Sequence, residues 1–252
     1  MPSDRLLQLT YLAEHSHFWF RGFRQYVKLA ITRATAGAAH PRILDCGCGT
    51  GSNLEILGAY GEAVGFDLTR TGVAFARTHG HRVVQASIGD IPFPDASFDF
   101  VTCFDVIQSL PDDVERQAMA EMRRVLKPGG WLLVHTAALQ LLSGRHSVLS
   151  QEVRRYSRPR LRSVVEAGGF QIERLTYAHA SLLPILLPLR AWHRMTSAGD
   201  VAAGEAEITV PWAPINAVLS ALVSIEALAL RVVDMPLGSS LMCLARKAPA
   251  ES

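Results

Sequence analysis

Two carboxylates and three glycines carry the first chemical signal in the chain. Asp45 ends an apolar run, and Gly47, Gly49 and Gly51 follow it on alternate residues in "ILDCGCGTGSNLEIL". Asp67 ends a second apolar run about 20 residues further on. Glycine permits positive φ and removes Cβ bulk, so backbone can approach a ligand closely, and the following helix start offers free N–H groups. Phosphate and dinucleotide loops use the same physics, but the details differ here. No lysine follows the glycines, as a G-x-x-x-x-G-K-[ST] loop needs, and the spacing is G-x-G-x-G rather than G-x-G-x-x-G. A carboxylate at Asp45 repels a pyrophosphate and suits a cationic or hydroxyl-bearing ligand. An acid in the position of Asp67 suits ribose hydroxyls. A ribose, a positive group and no phosphate together fit S-adenosylmethionine.

Positioning these residues takes alternating strands and helices. Strands are expected at Pro41–Asp45, Ala63–Asp67, Arg82–Gln85, Phe98–Phe104, Trp131–Thr136, Phe170–Tyr177 and Ser240–Arg246. Helices are expected at Ser52–Tyr60, Thr71–Thr78, Asp113–Leu126 and Leu161–Gly169, with "KPGG" at residues 127–130 as a helix stop and turn. The pattern predicts a Rossmann-like α/β fold: a mostly parallel sheet with helices on both faces and a ligand crevice at the strands' carboxyl ends. Residues 1–40 read as helical. Between the last two strands the rhythm breaks into a long apolar stretch, residues 180–237.

Four segments in order resemble class I S-adenosylmethionine-dependent methyltransferases of the small-molecule type. They are "ILDCGCGTG", "AVGFDLT", "IPFPDASFDFVTCFDVIQSL" and "EMRRVLKPGGWLLV". The resemblance implies a seven-stranded sheet whose last strand is antiparallel. It implies a core over 41–179 and 238–248, a helical lid over 1–40 and a helical cap over 180–237. It also implies that Asp45, Gly47, Cys48 and Gly49 hold the amino-acid part of the cofactor, Asp45 through the ammonium. Asp67 then takes the ribose and Leu68 packs on adenine. Ser87 stands where relatives often carry an acid for the adenine amino group, with Ile88 beside it. Asp90 reads as a turn residue. Phe104 and Asp105 face the methionine and the acceptor mouth. In "HSHFWFRGFR", Trp19 is a candidate cover, and Arg21 or Arg24 a partner for the cofactor carboxylate.

Methyl transfer is an in-line displacement from a good leaving group, so positioning and desolvation supply much of the catalysis. A base is required only where the acceptor must lose a proton. Candidates are His135, Asp105, Gln108 and Tyr156, with His146 and His179 behind them. Many relatives carry a histidine where Ser109 stands, so the nucleophile type stays open. A non-methylating protein that binds S-adenosylmethionine on this fold is the alternative. Arg154, Arg155, Arg158, Arg160 and Arg162 crowd one stretch, as a solvated helix entrance or a site for an acidic group.

The apolar stretch bears on the acceptor. Leu182, Leu183, Ile185, Leu186, Leu187 and Leu189 form one run, and residues 215–230 form a helix almost without a polar face. This predicts an apolar pocket for a polyketide, quinone, terpenoid or lipid-like acceptor, a homodimer contact through the cap, or both. Peripheral membrane contact is a secondary expectation. The formal charge of +2, with no broad basic surface or stacking aromatics, argues against nucleic acid. The N-terminal residues lack a signal-peptide pattern, and Glu226 and Arg231 interrupt the one near-span, so a cytoplasmic enzyme is expected. Cys46, Cys48, Cys103 and Cys243 lack paired ligand spacing and read as buried thiols, with no metal site.

Overall fold

The computed structural model describes residues 4–143, 147, 151–196 and 209–249. Helices α1 (Asp4–Glu14) and α2 (Phe18–Thr35) precede the sheet. Then come β1 (Arg42–Cys46), α3 (Ser52–Gly58), β2 (Glu62–Asp67), α4 (Arg70–Thr78), β3 (Val83–Gln85) and β4 (Phe98–Phe104). α5 (Asp112–Val125), β5 (Leu126–Ala137), α6 (Arg158–Ala167) and β6 (Phe170–Ala178) follow. Helices α7 (Leu183–Thr196) and α8 (Ala213–Ala229) lie between β6 and β7 (Ser240–Lys247).

The strands form one seven-stranded sheet in the order β3-β2-β1-β4-β5-β7-β6. β1 to β5 run parallel, and β7 pairs antiparallel with both β5 and β6. Continuous apolar runs suit strands buried on both faces. On one face Leu44, Cys46, Val101 and Val134 pack on Ala118, Met122, Leu161 and Val165 of α5 and α6. On the other, Ile43, Phe100, Leu133 and Met242 pack on Phe23, Tyr26, Val27 and Val223 of α2 and α8. The order reverses between β1 and β4, and there the crossovers diverge and leave a crevice.

One element departs from its expected form. β5 begins at Leu126, opposite Phe98, and the next pair is Phe100 with Trp131. Residues 127–130 are therefore looped out of a continuous strand rather than placed as a separate turn before it. Gly129 takes φ +73 to allow this. Lys127 Nζ anchors the bulge by donating to Asp99 Oδ1 at 2.8 Å.

α8 also differs from a helix apolar all round. Its four polar residues, Asn216, Ser220, Ser224 and Glu226, all sit on the inward or flanking side. Asn216 accepts from Phe18 N at 2.9 Å, and Ser224 Oγ accepts from Gln25 Nε2 at 3.0 Å. Glu226 is buried, and its two carboxylate oxygens accept from Ala180 N and Ser181 N at 2.9 and 2.8 Å. The helix thus docks on α2 and the β6 exit through polar contacts as well as apolar ones.

Candidate active site

The crevice is assembled where β1, β2, β4 and β5 end. Asp45 is 1% exposed, and its Oδ1 accepts from Thr102 Oγ1 of the neighbouring strand at 2.7 Å. Its Oδ2 is buried without a partner. Burial, and secondarily the nearby Asp67 charge, push the carboxyl up to about 7 against the pull of the Thr102 bond. The chain then turns through Gly47, Gly49 and Gly51, all at positive φ (+77, +52 and +87). A Cβ at Gly47 would meet Val106 at 2.4 Å, while one at Gly49 would meet nothing within 4 Å. Gly49 therefore borders open space at a left-handed position, as a cradle for a ligand requires.

Asp67 closes the other side. Its Oδ2 accepts from Gly49 N at 2.9 Å, and its Oδ1 accepts from Thr69 N and Thr69 Oγ1 at 2.8 and 2.6 Å. The same Thr69 caps α4 by accepting from Gly72 N. Leu68 projects half-exposed beside it. Ser87 accepts from Gly89 N and pairs with Asp90 in an isolated bridge, with buried Ile88 between them. Cys48 is buried against Gly65, where a Cβ would strike its Sγ at 2.9 Å. All four candidate cysteines are free and buried.

A second cluster lies one strand over. His135 is the register partner of Phe104, so both side chains leave the same sheet face. His135 is 1% exposed, and its Nδ1 lies 3.2 Å from both oxygens of Asp105. An ionised Asp105 only accepts, so this contact sets the proton on Nδ1 and leaves a lone pair on Nε2. That Nε2 is buried and has no partner. Asp105 is held at φ +57 and His179 at φ +57, both uncommon for non-glycine residues. Phe23 packs edge-on against Phe104 and His135, with centroids 5.1 and 4.8 Å away. Trp19 stacks flat on His179 at 3.9 Å. His179 is fully buried, and desolvation pushes it down to about 3.

The remaining expected residues stand apart. Gln108 spends its side-chain oxygen on Thr136 Oγ1 and Ala137 N at 2.8 and 2.7 Å, clamping the end of β5. Tyr156 is fully buried with its hydroxyl on Glu115, and burial raises its pKa. That placement withdraws Tyr156 from the candidate bases, because no solvent-facing or crevice-facing hydroxyl remains. Arg24 donates to the Glu14 carbonyl, and Arg21 is exposed on the outer side of α2. His146 lies outside the described residues. The arginine-rich stretch meets internal acids: Arg154 and Arg160 reach Asp112 and Glu115, Arg155 reaches Glu152, and Arg162 reaches Glu166.

Sequence alone missed Thr102, Phe23 and Glu14. Glu14 accepts from Thr50 Oγ1 in the glycine turn with both oxygens at 2.9 Å, tying α1 to the loop. These contacts span tens of residues, and no local spacing encodes them.

The sheet order and the acid-flanked glycine turn at the β1/β4 reversal define a class I S-adenosylmethionine-dependent methyltransferase fold. Residues 44–134 match the family model described as a methyltransferase domain. It is 32% identical over 167 residues to a probable S-adenosylmethionine-dependent methyltransferase of Mycolicibacterium smegmatis, covering 64% of this chain and 62% of that protein. It is 36% identical over 119 residues to a demethylmenaquinone methyltransferase of Clavibacter sepedonicus, covering 45% and 48%. The chain thus spans less than two thirds of these relatives' length. Its fold is similar to phosphoethanolamine N-methyltransferase 2 of Haemonchus contortus, solved with S-adenosyl-L-methionine. The TM-score is 0.63 at 17% identity, covering 98% of this chain and 57% of that one.

Proposed function

We propose that the chain transfers the methyl group of S-adenosylmethionine to a small, lipophilic acceptor that loses a proton to His135. The observation that carries the first half is the cradle. An orphaned Asp45 oxygen, three left-handed glycines and Asp67 converge at one strand-end crevice. Asp45 pairs with the ammonium, and the backbone of Gly47, Cys48 and Gly49 lines the amino-acid part. Asp67 exchanges its bond to Gly49 for the ribose hydroxyls, Leu68 and Ile88 flank adenine, and Ser87 offers a hydroxyl at its edge. The relative named for demethylmenaquinone, a quinone, supports a lipophilic acceptor.

His135 supplies the base. Its Nε2 takes the acceptor's proton as the acceptor bonds to the methyl carbon. Bound S-adenosylmethionine would supply the electrophilic methyl and a sulfur that leaves with the bonding electron pair. Asp105 positions the ring and offsets the imidazolium charge that results. Phe23, Phe104 and the Trp19–His179 stack form the apolar wall over the dyad, so the acceptor enters by displacing part of that cover.

Calorimetry with S-adenosylmethionine on the wild type, Asp67→Ala and His135→Gln tests both halves. Asp67→Ala should weaken cofactor binding by roughly tenfold or more. His135→Gln should keep cofactor affinity and lower turnover by about 10²- to 10⁴-fold. Turnover is read from methyl-labelled cofactor incubated with cell extract, with label partitioned into organic solvent. Label found only in macromolecules would sink the small-molecule reading, and equal turnover in His135→Gln would remove the base.

A further inference from the structure

Helix α8 turns an apolar stripe outward. Trp212, Val218, Ile225 and Val232 are 74%, 62%, 64% and 83% exposed, and Ile215 and Leu228 are more than half exposed. Val218, Ile225 and Leu228 recur at helical spacing and fall along one side, and Val232 follows in the turn just past the helix. All of the helix's polar residues lie on the other sides. A lone exposed leucine is ordinary, but a stripe that runs for about three turns on a helix with its polar groups turned inward is not.

The charge around the stripe selects what covers it. Gln25 of α2 donates to Ser224, on the flank of α8 next to the stripe. Arg21 and Lys28 stand four before and three after Gln25, hence on the same side of α2, and both are exposed. Arg231 is exposed at the far end of α8. None of the three forms an ion pair among the described residues. α2 contains no acidic residue, and the one acid of α8, Glu226, is buried. Asp234, past the end of the stripe, is paired with Arg174 at 2.7 Å.

We infer that this face lies on an anionic lipid surface, with the α8 stripe sunk among the acyl chains and Arg21, Lys28 and Arg231 at the headgroups. An apolar stripe rimmed by unpaired cations is the pattern of an in-plane membrane helix. A second copy fits worse, because two such faces would oppose cations, and the exposed acid beside the stripe, Asp234, is already paired with Arg174. No helix among the described residues is long and apolar enough to cross a membrane, so the contact is peripheral. The inference rests on the lipophilic-acceptor reading only for its purpose: a bilayer is where such an acceptor dissolves.

The test is flotation of the full chain with vesicles of equal parts phosphatidylglycerol and phosphatidylcholine, against phosphatidylcholine alone. Binding should require the anionic lipid and weaken in high salt. Val218→Glu with Ile225→Glu should reduce it by about tenfold or more. Lys28→Ala and Arg231→Ala should each reduce it by roughly fivefold. The substituted side chains are exposed, so an unchanged circular dichroism melt and unchanged S-adenosylmethionine affinity show that the fold and cofactor site persist. Equal flotation with both vesicle types, flotation indifferent to the double substitution, or a dimer in sedimentation that the double substitution dissociates without any flotation would each overturn the inference. Cofactor binding is read separately, so failure of the methyltransferase reading leaves a different signature.

Discussion

Asp45 is costly to the fold and useful to the site. Its carboxyl is fully buried, and Thr102 satisfies only one of its oxygens. Folding raises its pKa from the ordinary 3.8 to about 7. A raised carboxyl favours the fold fully below the unfolded value and loses that contribution as pH climbs through about 7. By pH 8 the penalty is on the order of 4 kcal/mol. Asp45→Asn keeps an oxygen for Thr102 and removes the charge. It should therefore melt higher than wild type at pH 8, with the gap closing towards pH 4, while losing cofactor binding. Cofactor affinity of the wild type should fall by up to about tenfold per pH unit below 7, because a protonated Asp45 cannot pair with an ammonium. Calorimetry across pH 5–8 reads both, and a flat affinity profile would remove Asp45 from ammonium recognition. Asp45 and Asp67 were legible from sequence because strand ends and glycines locate themselves by local pattern. The orphaned Nε2 of His135 was not, since it depends on Asp105, Phe23 and His179 from three separate segments.

The element that sequence described least well is α8. Its composition is nearly all apolar, and such a helix gives no periodic signal for which side faces in. What decides the orientation is Glu226, whose two oxygens hold the amides of Ala180 and Ser181, together with Gly22 of α2. A Cβ at Gly22 would lie 2.9 Å from the Val223 Cβ, closer than real contacts allow. Helix propensity favours Gly22→Ala by about 1 kcal/mol, whereas forcing two packed helices apart costs about 1–3 kcal/mol. Crowding at a branched Cβ has no rotamer escape, so it should win. Gly22→Ala is expected to lower the midpoint of denaturant unfolding, and an increase would show that α2 and α8 are less closely packed than their geometry indicates.

At the scale of the molecule, the sheet was readable because parallel strands buried on both faces are apolar runs with turns between them, and the order follows from right-handed crossovers. The bulge in β5 escaped that reading because "KPGG" is turn chemistry wherever it falls, and only the pairing of Leu126 with Phe98 places it inside a strand. Alongside the apolar packing of α2 on the sheet, a buried polar contact between Glu14 and Thr50 ties α1 to the glycine turn. Glu14 is buried with its pKa raised by desolvation, and Thr50 belongs to the glycine turn that would receive the cofactor. Ordering that turn should therefore order α1 and the start of α2 with it, at a free-energy gain of about 2.7 kcal/mol when ligand stands at 100 times its Kd. Hydrogen exchange with saturating S-adenosylmethionine should slow across residues 8–23 as well as 45–54, and leave β6 and β7 nearly unchanged. Glu14→Ala removes the link without touching the cradle. In that variant the protection over 45–54 should persist while that over 8–23 is lost. Equal slowing of both segments in Glu14→Ala would mean that the first two helices answer to the cofactor by another route.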